Sequence, residues 1–257
     1  MCKIWMVFAC LKQCAYMMVM KYVGVDGCKG GWLVAAITGK DIEIAVVRSF
    51  NEIWAAHRDA KAILVDVPIG LPSAKNPSRK ADSLARRILG HRHACVFSPG
   101  VRAVNYCSTY AEACEANRKL TGKKISLQYW GIVPKVKEVD EFLITTPVAL
   151  DLIREAHPEV CFAMAGGRSM EYGKKTADGI DERLAILDNY MANASDVYRA
   201  ALKAYPRKEV ARDDIVDALM LAVTARESRG EIRSLPSPLE ADEENLLMAI
   251  WYHEFTR

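Results

Sequence analysis

The chain has 257 residues, of which 51% are apolar and 26% are charged, and its net charge is +3. This composition excludes a disordered or fibrous protein, and the small net charge argues against a dedicated non-specific DNA-binding protein with a strongly basic surface. The length suits one α/β domain better than two small ones. We therefore expect a single domain over residues 21–235, an extra N-terminal segment over 1–20 and a C-terminal tail over 236–257.

The segment 1–20 is apolar and rich in Met and Cys, but Lys3 and Lys12 interrupt it. It lacks the clean apolar core and the cleavage site of a secretory signal, and it is too interrupted for a spanning helix of about 20 apolar residues. We interpret it as the product of a start site placed too far upstream, with Met20 as the natural beginning. A short additional helix is the alternative. We expect no membrane segment.

The eight cysteines are scattered and form no C-x-x-C pair. A chain with its own hydrophobic core needs no disulfide framework, so reduced thiols are the expectation. We therefore predict a cytoplasmic protein.

Three short β-rich runs open the domain, at 22–25, 32–38 and 42–48. Tight turns at 27–31 and 39–41 join them, and the first of these turns is rich in glycine. Short strands joined by such turns indicate an antiparallel meander.

A helix and a buried strand follow the meander. Ser49 and Glu52 have the spacing of a capping box, which predicts a helix over 52–58. The apolar run at 62–66 then predicts a buried strand. The order of three strands, a helix and a strand is typical of the first half of an α/β fold with a mixed sheet.

The middle of the chain, about 78–152, has a mainly helical pattern with breaks at 98–100 and 145–147. We interpret it as a helical insertion that packs beside the sheet. Beyond it we predict a strand at 159–164 and helices at 181–204 and 212–226. The tail is expected to end in a short helix.

Four aspartates stand at the ends of these predicted elements. Asp26 and Asp66 each close an apolar run, and Asp214 and Asp217 lie one helical turn apart at the start of an apolar helix. Each has a structural alternative, as a turn residue or as part of a negatively charged first helical turn. Together they predict carboxylates collected at one edge of the sheet.

An oxygen-only cluster of this kind suits Mg²⁺ or Mn²⁺. Two such ions about 3.5–4 Å apart would activate water and stabilise the leaving oxygen of a phosphodiester. We therefore expect two divalent ions as cofactors.

The order of several motifs is similar to that of the ribonuclease H-like superfamily and, within it, of an uncharacterised family of predicted nucleases, domain of unknown function 429. The motifs are Gly24 to Trp32, Asp66 to Leu71, Arg79 to Arg92, Gln128 to Lys135, Glu155 to Glu159, and Asp213 to Ala218. The last also resembles the C-terminal catalytic helix of Holliday-junction resolvases. The resemblance covers about residues 21–230.

This resemblance implies a ribonuclease H-like sheet of three antiparallel strands and further parallel strands, flanked by helices. It implies a metal-dependent nuclease with Asp26, Asp66, Asp214 and Asp217 as ligands. Glu159, with Glu155 behind it, is a further candidate ligand or proton shuttle. Asp213 is a candidate substitute for its neighbour Asp214.

Basic residues near these motifs are candidates for holding phosphates. The alternative for each is a solvated surface charge or an internal ion pair. The candidates are Lys29, Arg79, Arg86, Arg92, Lys135, Lys174, Lys175 and Arg183.

Three functions remain open at the level of sequence. The first is a two-metal phosphodiesterase acting on nucleic acid, which would work as a homodimer if the substrate were a branched junction. The second is an ATP-handling protein of the actin and sugar-kinase type, since its phosphate-binding hairpin also follows a first-strand aspartate. The third is a non-catalytic protein of the same fold that binds nucleic acid or a protein partner.

Overall fold

The computed structural model of the protein describes residues 20–255. The interpretation of the segment before Met20 therefore concerns residues outside the described range. The domain begins with an antiparallel meander of β1 (Lys21–Cys28), β2 (Gly31–Thr38) and β3 (Asp41–Val47). This meander confirms the prediction for the first three strands.

The sheet continues in parallel on the other side of β1. Helix α1 (Phe50–His57) leads to β4 (Ala62–Val65), which pairs with β1, and a later strand, β5 (Ile153–Glu155), pairs with β4. The Ser49 side chain caps α1 by accepting a hydrogen bond from the Glu52 backbone N–H. The five-stranded sheet has the order β3-β2-β1-β4-β5, which confirms an α/β fold with a mixed sheet.

Helical structure predominates in residues 80–151, between β4 and β5, in agreement with the predicted pattern. Ser126 and Thr109 cap two of these helices with their side chains. The α-helices are α2 (Lys80–Leu89), α3 (Tyr110–Thr121) and α4 (Leu127–Thr145), and 3₁₀ turns cover Gly90–Cys95, Arg102–Tyr106 and Pro147–Asp151.

The strand predicted at 159–164 is wrong, because these residues belong to helix α5 (Pro158–Gly166). Pro158 occupies the first turn, where its fixed φ favours a helix and its missing N–H costs nothing. Nearly every side chain of α5 is buried. An apolar run that is buried all round shows no helical periodicity, so its pattern is the same as that of a central strand.

The single helix predicted over 181–204 is two helices, α6 (Ala177–Tyr190) and α7 (Ala194–Ala204). Met191 takes an extended conformation between them, with φ −142° and ψ 95°, and its side chain is buried in the core. Tertiary packing rather than a Gly or Pro signal breaks the helix here. The helix predicted at 212–226 is confirmed as α8 (Arg212–Glu227).

The tail forms a β-ladder instead of the predicted short helix. Strands β6 (Arg233–Leu235) and β7 (Ile250–Tyr252) pair antiparallel, and residues 236–255 contain no helix. The aromatic and β-branched residues of β7 favour a strand. Asp242 ties the loop between the strands to the body of the domain, since its carboxylate accepts from the Leu71 N–H at 2.9 Å and from Arg102 at 2.6 Å.

The sheet lies between two layers of helices. Alternate strand residues face opposite sides, so Leu33 and Leu64 join a core with α5 to α8, while Val25 and Val65 join a core with α1, α3 and α4. Both faces of the sheet are covered over β1, β2 and β4, as expected for strands that read as nearly continuous apolar runs, whereas β3 has no fully buried residue. The carboxyl ends of β1 and β4 remain open to the cavity described below.

Candidate metal centre

Two neighbouring parallel strands place Asp26 and Asp66 side by side. Asp26 lies near the end of β1, and Asp66 directly follows β4. Val25 pairs with Val65, and the Asp66 N–H donates to the Val25 carbonyl oxygen at 2.9 Å. This register brings both aspartates to the same edge of the sheet, which is where ligands bind in open α/β sheets.

Helix α8 brings Asp217 to the same edge because it lies directly on β1. A Cβ atom on Gly24 would lie 2.1 Å from the Ala218 carbonyl oxygen and 2.3 Å from the Ala222 nitrogen, so only glycine permits this approach. A glycine inside a buried strand often marks such a close contact. Gly24 is thus a site-forming residue that the sequence analysis named only as part of a motif.

The carboxylates of Asp26, Asp66 and Asp217 form one cluster, in which one oxygen from each residue lies within 4.8 Å of the others. Asp217 is 1% exposed, and its Oδ1 has no hydrogen-bond partner among the residues that the structure describes. A buried carboxylate oxygen without a partner is costly, and a cation would satisfy it. The all-oxygen donor set fits Mg²⁺ or Mn²⁺.

The electrostatics of the cluster also favour a bound cation. Burial raises the pKa of all three carboxyl groups, to about 6 for Asp217. The charges of Asp66 and Asp217 raise the pKa of Asp26 further, and that of Asp66 raises the pKa of Asp217. Mutual repulsion at this distance opposes full ionisation, and a divalent ion would relieve it.

Lys174 is the cation that the structure places against this cluster. Its Nζ donates to Asp217 Oδ2 at 2.6 Å and lies 3.8 Å from Asp213 Oδ2. The charge of Asp217 raises the pKa of the Lys174 ammonium. The sequence predicts Lys174 as a phosphate-binding candidate, and the structure shows it in contact with Asp217.

Asp213 and Asp214 also line the cavity, but they are not part of the three-carboxylate cluster. The Asp214 carboxylate accepts a hydrogen bond from the Ala211 N–H at 2.7 Å and so caps the start of α8. The helix therefore directs Asp217, one turn further on, towards Asp26 and Asp66. The sequence predicts Asp214 and Asp217 as equivalent ligands. In the structure, Asp214 caps the helix, whereas Asp217 joins the carboxylate cluster.

Glu155 ends β5 and is held in a buried ion pair. Its carboxylate accepts from the Ile69 N–H at 2.7 Å and from Arg79 at 2.6 and 2.7 Å. Burial raises the pKa of Glu155 to about 8 in spite of Arg79. The Arg79 side chain is fully buried against Glu155 and Asp82, which corrects its assignment as a phosphate-binding residue.

Glu159, the proposed additional ligand or proton shuttle, lies between two arginines. Arg183 donates to its Oε2 at 2.6 Å, and Arg92 donates to its Oε1 at 3.1 Å. Arg183 has a fully buried side chain, so it too is corrected from a phosphate contact to an internal partner. Arg92 is partly exposed and uses its Nε on Glu159. Glu159 lines the cavity but stands outside the metal cluster.

The remaining basic candidates either make contacts within the protein or line the cavity. Arg86 donates to the Val96 carbonyl oxygen at 2.8 Å and to Ser98 Oγ at 2.9 Å, which fixes the loop after the 3₁₀ turn. Lys135 lies with its Nζ 4.3 Å from the centre of the Trp32 ring. Four of the predicted phosphate-binding cations line the cavity: Lys29, Lys135, Lys175 and Lys174, which also contacts Asp217.

The cavity over the carboxylates has a volume of about 700 Å³. This volume lies within the usual range of small-molecule sites and is enough for a nucleotide. His157 lines it and sits 3.3 Å from the Cys95 carbonyl oxygen through its Nε2. The apolar part of the lining, which the sequence analysis did not identify, includes Val67, Pro68, Val96, Phe97 and Ile132.

The fold and the site define an α/β protein with a mixed five-stranded sheet and a buried carboxylate cluster at the carboxyl ends of two parallel strands. The chain belongs to the family described as protein of unknown function (DUF429), whose model matches residues 24–241. No curated protein and no solved structure matches it. Among the described helices, none has the length and apolar character needed to cross a membrane.

Proposed function

We propose that this protein is a divalent-metal-dependent nuclease that hydrolyses phosphodiester bonds of nucleic acid. The observation that carries the proposal is the cluster of Asp26, Asp66 and Asp217, with the buried Asp217 Oδ1 left without a partner among residues 20–255. Mg²⁺ or Mn²⁺ held by these three residues would supply Lewis-acid activation of water and would stabilise charge on a phosphate.

The chain's own residues supply the rest of the site. Lys29, Lys135 and Lys175 line the same cavity and offer cationic groups to phosphate oxygens. Phe97 and Ile132 offer apolar surface to a sugar or base. A cavity that combines carboxylates, lysines and apolar surface suits a substrate with a phosphodiester next to a nucleoside. The cysteines within the described range are free thiols, which suits a cytoplasmic site of action.

The nuclease proposal has better support than its two rivals. An ATP-handling protein of the actin type needs a second copy of the half-domain, and the described residues contain one five-stranded sheet besides the two-stranded tail ladder. A module that only binds phosphates would gain from losing the buried carboxylates, because they repel phosphate.

The test is cleavage of labelled single-stranded, duplex, hybrid and branched nucleic acids in Mg²⁺ or Mn²⁺. Wild type is compared with Asp26→Asn and Asp217→Asn, and with Asp196→Asn, which removes an exposed carboxylate on α7. We expect cleavage of at least one substrate, a loss of about 100-fold or more in the two cluster variants, and no loss in the control.

The proposal fails if folded wild type cleaves none of these substrates, or if the cluster variants keep full activity. Folding of each variant is checked by urea unfolding. Metal-dependent cleavage that survives both cluster substitutions would point to another site on the chain.

A further inference from the structure

We infer that Lys174 is the resident second cation of the site, so that the three carboxylates hold one divalent ion rather than two. This inference rests on the proposed function, because it concerns the ion that serves the proposed hydrolysis. It assigns a specific role to a lysine outside the predicted ligand set.

The position of Lys174 carries the inference. Its ammonium lies 2.6 Å from Asp217 Oδ2, which leaves Oδ1 as the oxygen of that carboxylate without a described partner. A second divalent ion about 3.5–4 Å from the first would compete with this ammonium for Asp217. The unpartnered Oδ1 therefore points to one ion, and the occupied Oδ2 argues against another.

The backbone holds Lys174 in place. The preceding residue, Gly173, accepts hydrogen bonds from the Thr176 N–H at 3.0 Å and from the Thr176 hydroxyl at 2.8 Å. A Cβ atom on Gly179 would lie 2.0 Å from the Gly173 carbonyl oxygen, so this turn is packed tightly against the start of α6. Lys174 is therefore held at the cluster by a tightly packed turn.

The charge of Lys174 also counts against a second ion. It already offsets part of the negative charge of Asp26, Asp66 and Asp217, and of Asp213, whose Oδ2 lies 3.8 Å from the ammonium. A second divalent ion would add two further positive charges beside that ammonium in a largely buried place, where like charges repel strongly. The Lys174 charge reaches the whole group, since it lowers the pKa of Asp26 and Asp66 as well.

Lys174 is thus a positioning residue that acts through Asp217. It neutralises Asp217 Oδ2 and leaves Oδ1 as the oxygen available to the proposed ion. Its ammonium also stands at the edge of the cavity, where it can meet negative charge that develops on a phosphate.

The test counts bound Mn²⁺ by electron paramagnetic resonance of the free ion during titration of the full chain. The variants are Lys174→Met, Lys174→Arg and, as a control, Lys203→Met, which removes an exposed lysine on α7 away from the cavity. We expect one ion per chain for wild type, for Lys174→Arg and for the control. We expect two ions for Lys174→Met, because removal of the ammonium frees Asp217 Oδ2 and one positive charge.

Two ions of comparable affinity in wild type would overturn the inference and leave the proposed function standing. A single ion in folded Lys174→Met would also overturn it. Wild type that binds no Mn²⁺ would overturn the inference and the proposed metal site together. Since the wild-type count can refute the inference alone, the test does not depend on the folding of any variant.

Discussion

Replacing Asp217 by Asn should remove a pH-dependent loss of stability from the metal-free protein. The Asp217 carboxyl is almost fully buried, and burial raises its pKa to about 6 from an ordinary value of 3.8. The native state therefore keeps this proton to higher pH than the unfolded state does. The stabilisation of the native state by this proton is fully present below pH 3.8 and is lost as the pH rises through about 6.

The magnitude follows from the shift in pKa. A shift of about two units corresponds to about 3 kcal/mol of unfolding free energy that wild type loses between pH 4 and pH 8. Asn carries no charge at either pH, so Asp217→Asn escapes this loss. The unfolding free energy of the variant minus that of wild type should therefore be higher at pH 8 than at pH 4 by up to about 3 kcal/mol.

The assay is urea unfolding in EDTA at pH 4 and pH 8, with Asp196→Asn as the exposed control. The control should change the unfolding free energy by less than about 0.5 kcal/mol at both pH values. Mg²⁺ or Mn²⁺ at pH 8 should stabilise wild type and not Asp217→Asn, because only the intact cluster binds the ion. Equal changes in unfolding free energy at pH 4 and pH 8 would rule out titration of the buried Asp217 carboxyl as the cause.

Three substitutions test the packing that builds the site, and one of them is a control. Gly24→Ala should destabilise the protein by about 3 kcal/mol or more, because its Cβ would meet the Ala218 carbonyl oxygen. The control is Gly131→Ala in α4, whose Cβ meets no described atom within 4 Å. This control should be neutral or stabilising by up to about 1 kcal/mol. Urea unfolding measures both, and equal effects would contradict the close contact of α8 with β1. Above pH 8, where Glu155 is ionised, Arg79→Met should cost about 3–5 kcal/mol by leaving the Glu155 and Asp82 carboxylates without their buried partner. In a pH series, its cost should be smaller where Glu155 is protonated, below its raised pKa of about 8, and a cost independent of pH would contradict this explanation.

The first half of the fold could be predicted because its signals are local. The glycine-rich turn after Asp26 and the capping serine, Ser49, each act within a few residues. The positions of Asp26 and Asp66 at neighbouring strand ends then follow from the chain order of strands and a crossover helix. Asp217 could be predicted as a candidate, but its spacing from Asp214 could not show which of the two faces the cluster.

The second half depended on tertiary contacts that the sequence does not display. β5 (Ile153–Glu155) has three residues and exists because it pairs with β4, whereas the longer apolar run that begins at Pro158 forms a helix. Both outcomes are decided by burial on all sides, which erases the periodicity that separates helices from strands.

The roles of the basic residues could not be predicted for a related reason. Arg79 and its partner Glu155 are 76 positions apart in the chain, and nothing in the basic run around Arg79 identifies that partner. A fully buried arginine and an exposed one have the same local sequence pattern. Lys174 likewise reaches Asp217 from a loop 43 positions away.

The single-ion site is tested by a crystal structure of the protein with Mn²⁺, in which the ion is located by its anomalous scattering. We expect one peak bonded to carboxylate oxygens of Asp26, Asp66 and Asp217, with Lys174 still in contact with Asp217. An empty cluster at saturating Mn²⁺, or a peak held only by other acidic residues such as Asp213, would contradict this expectation.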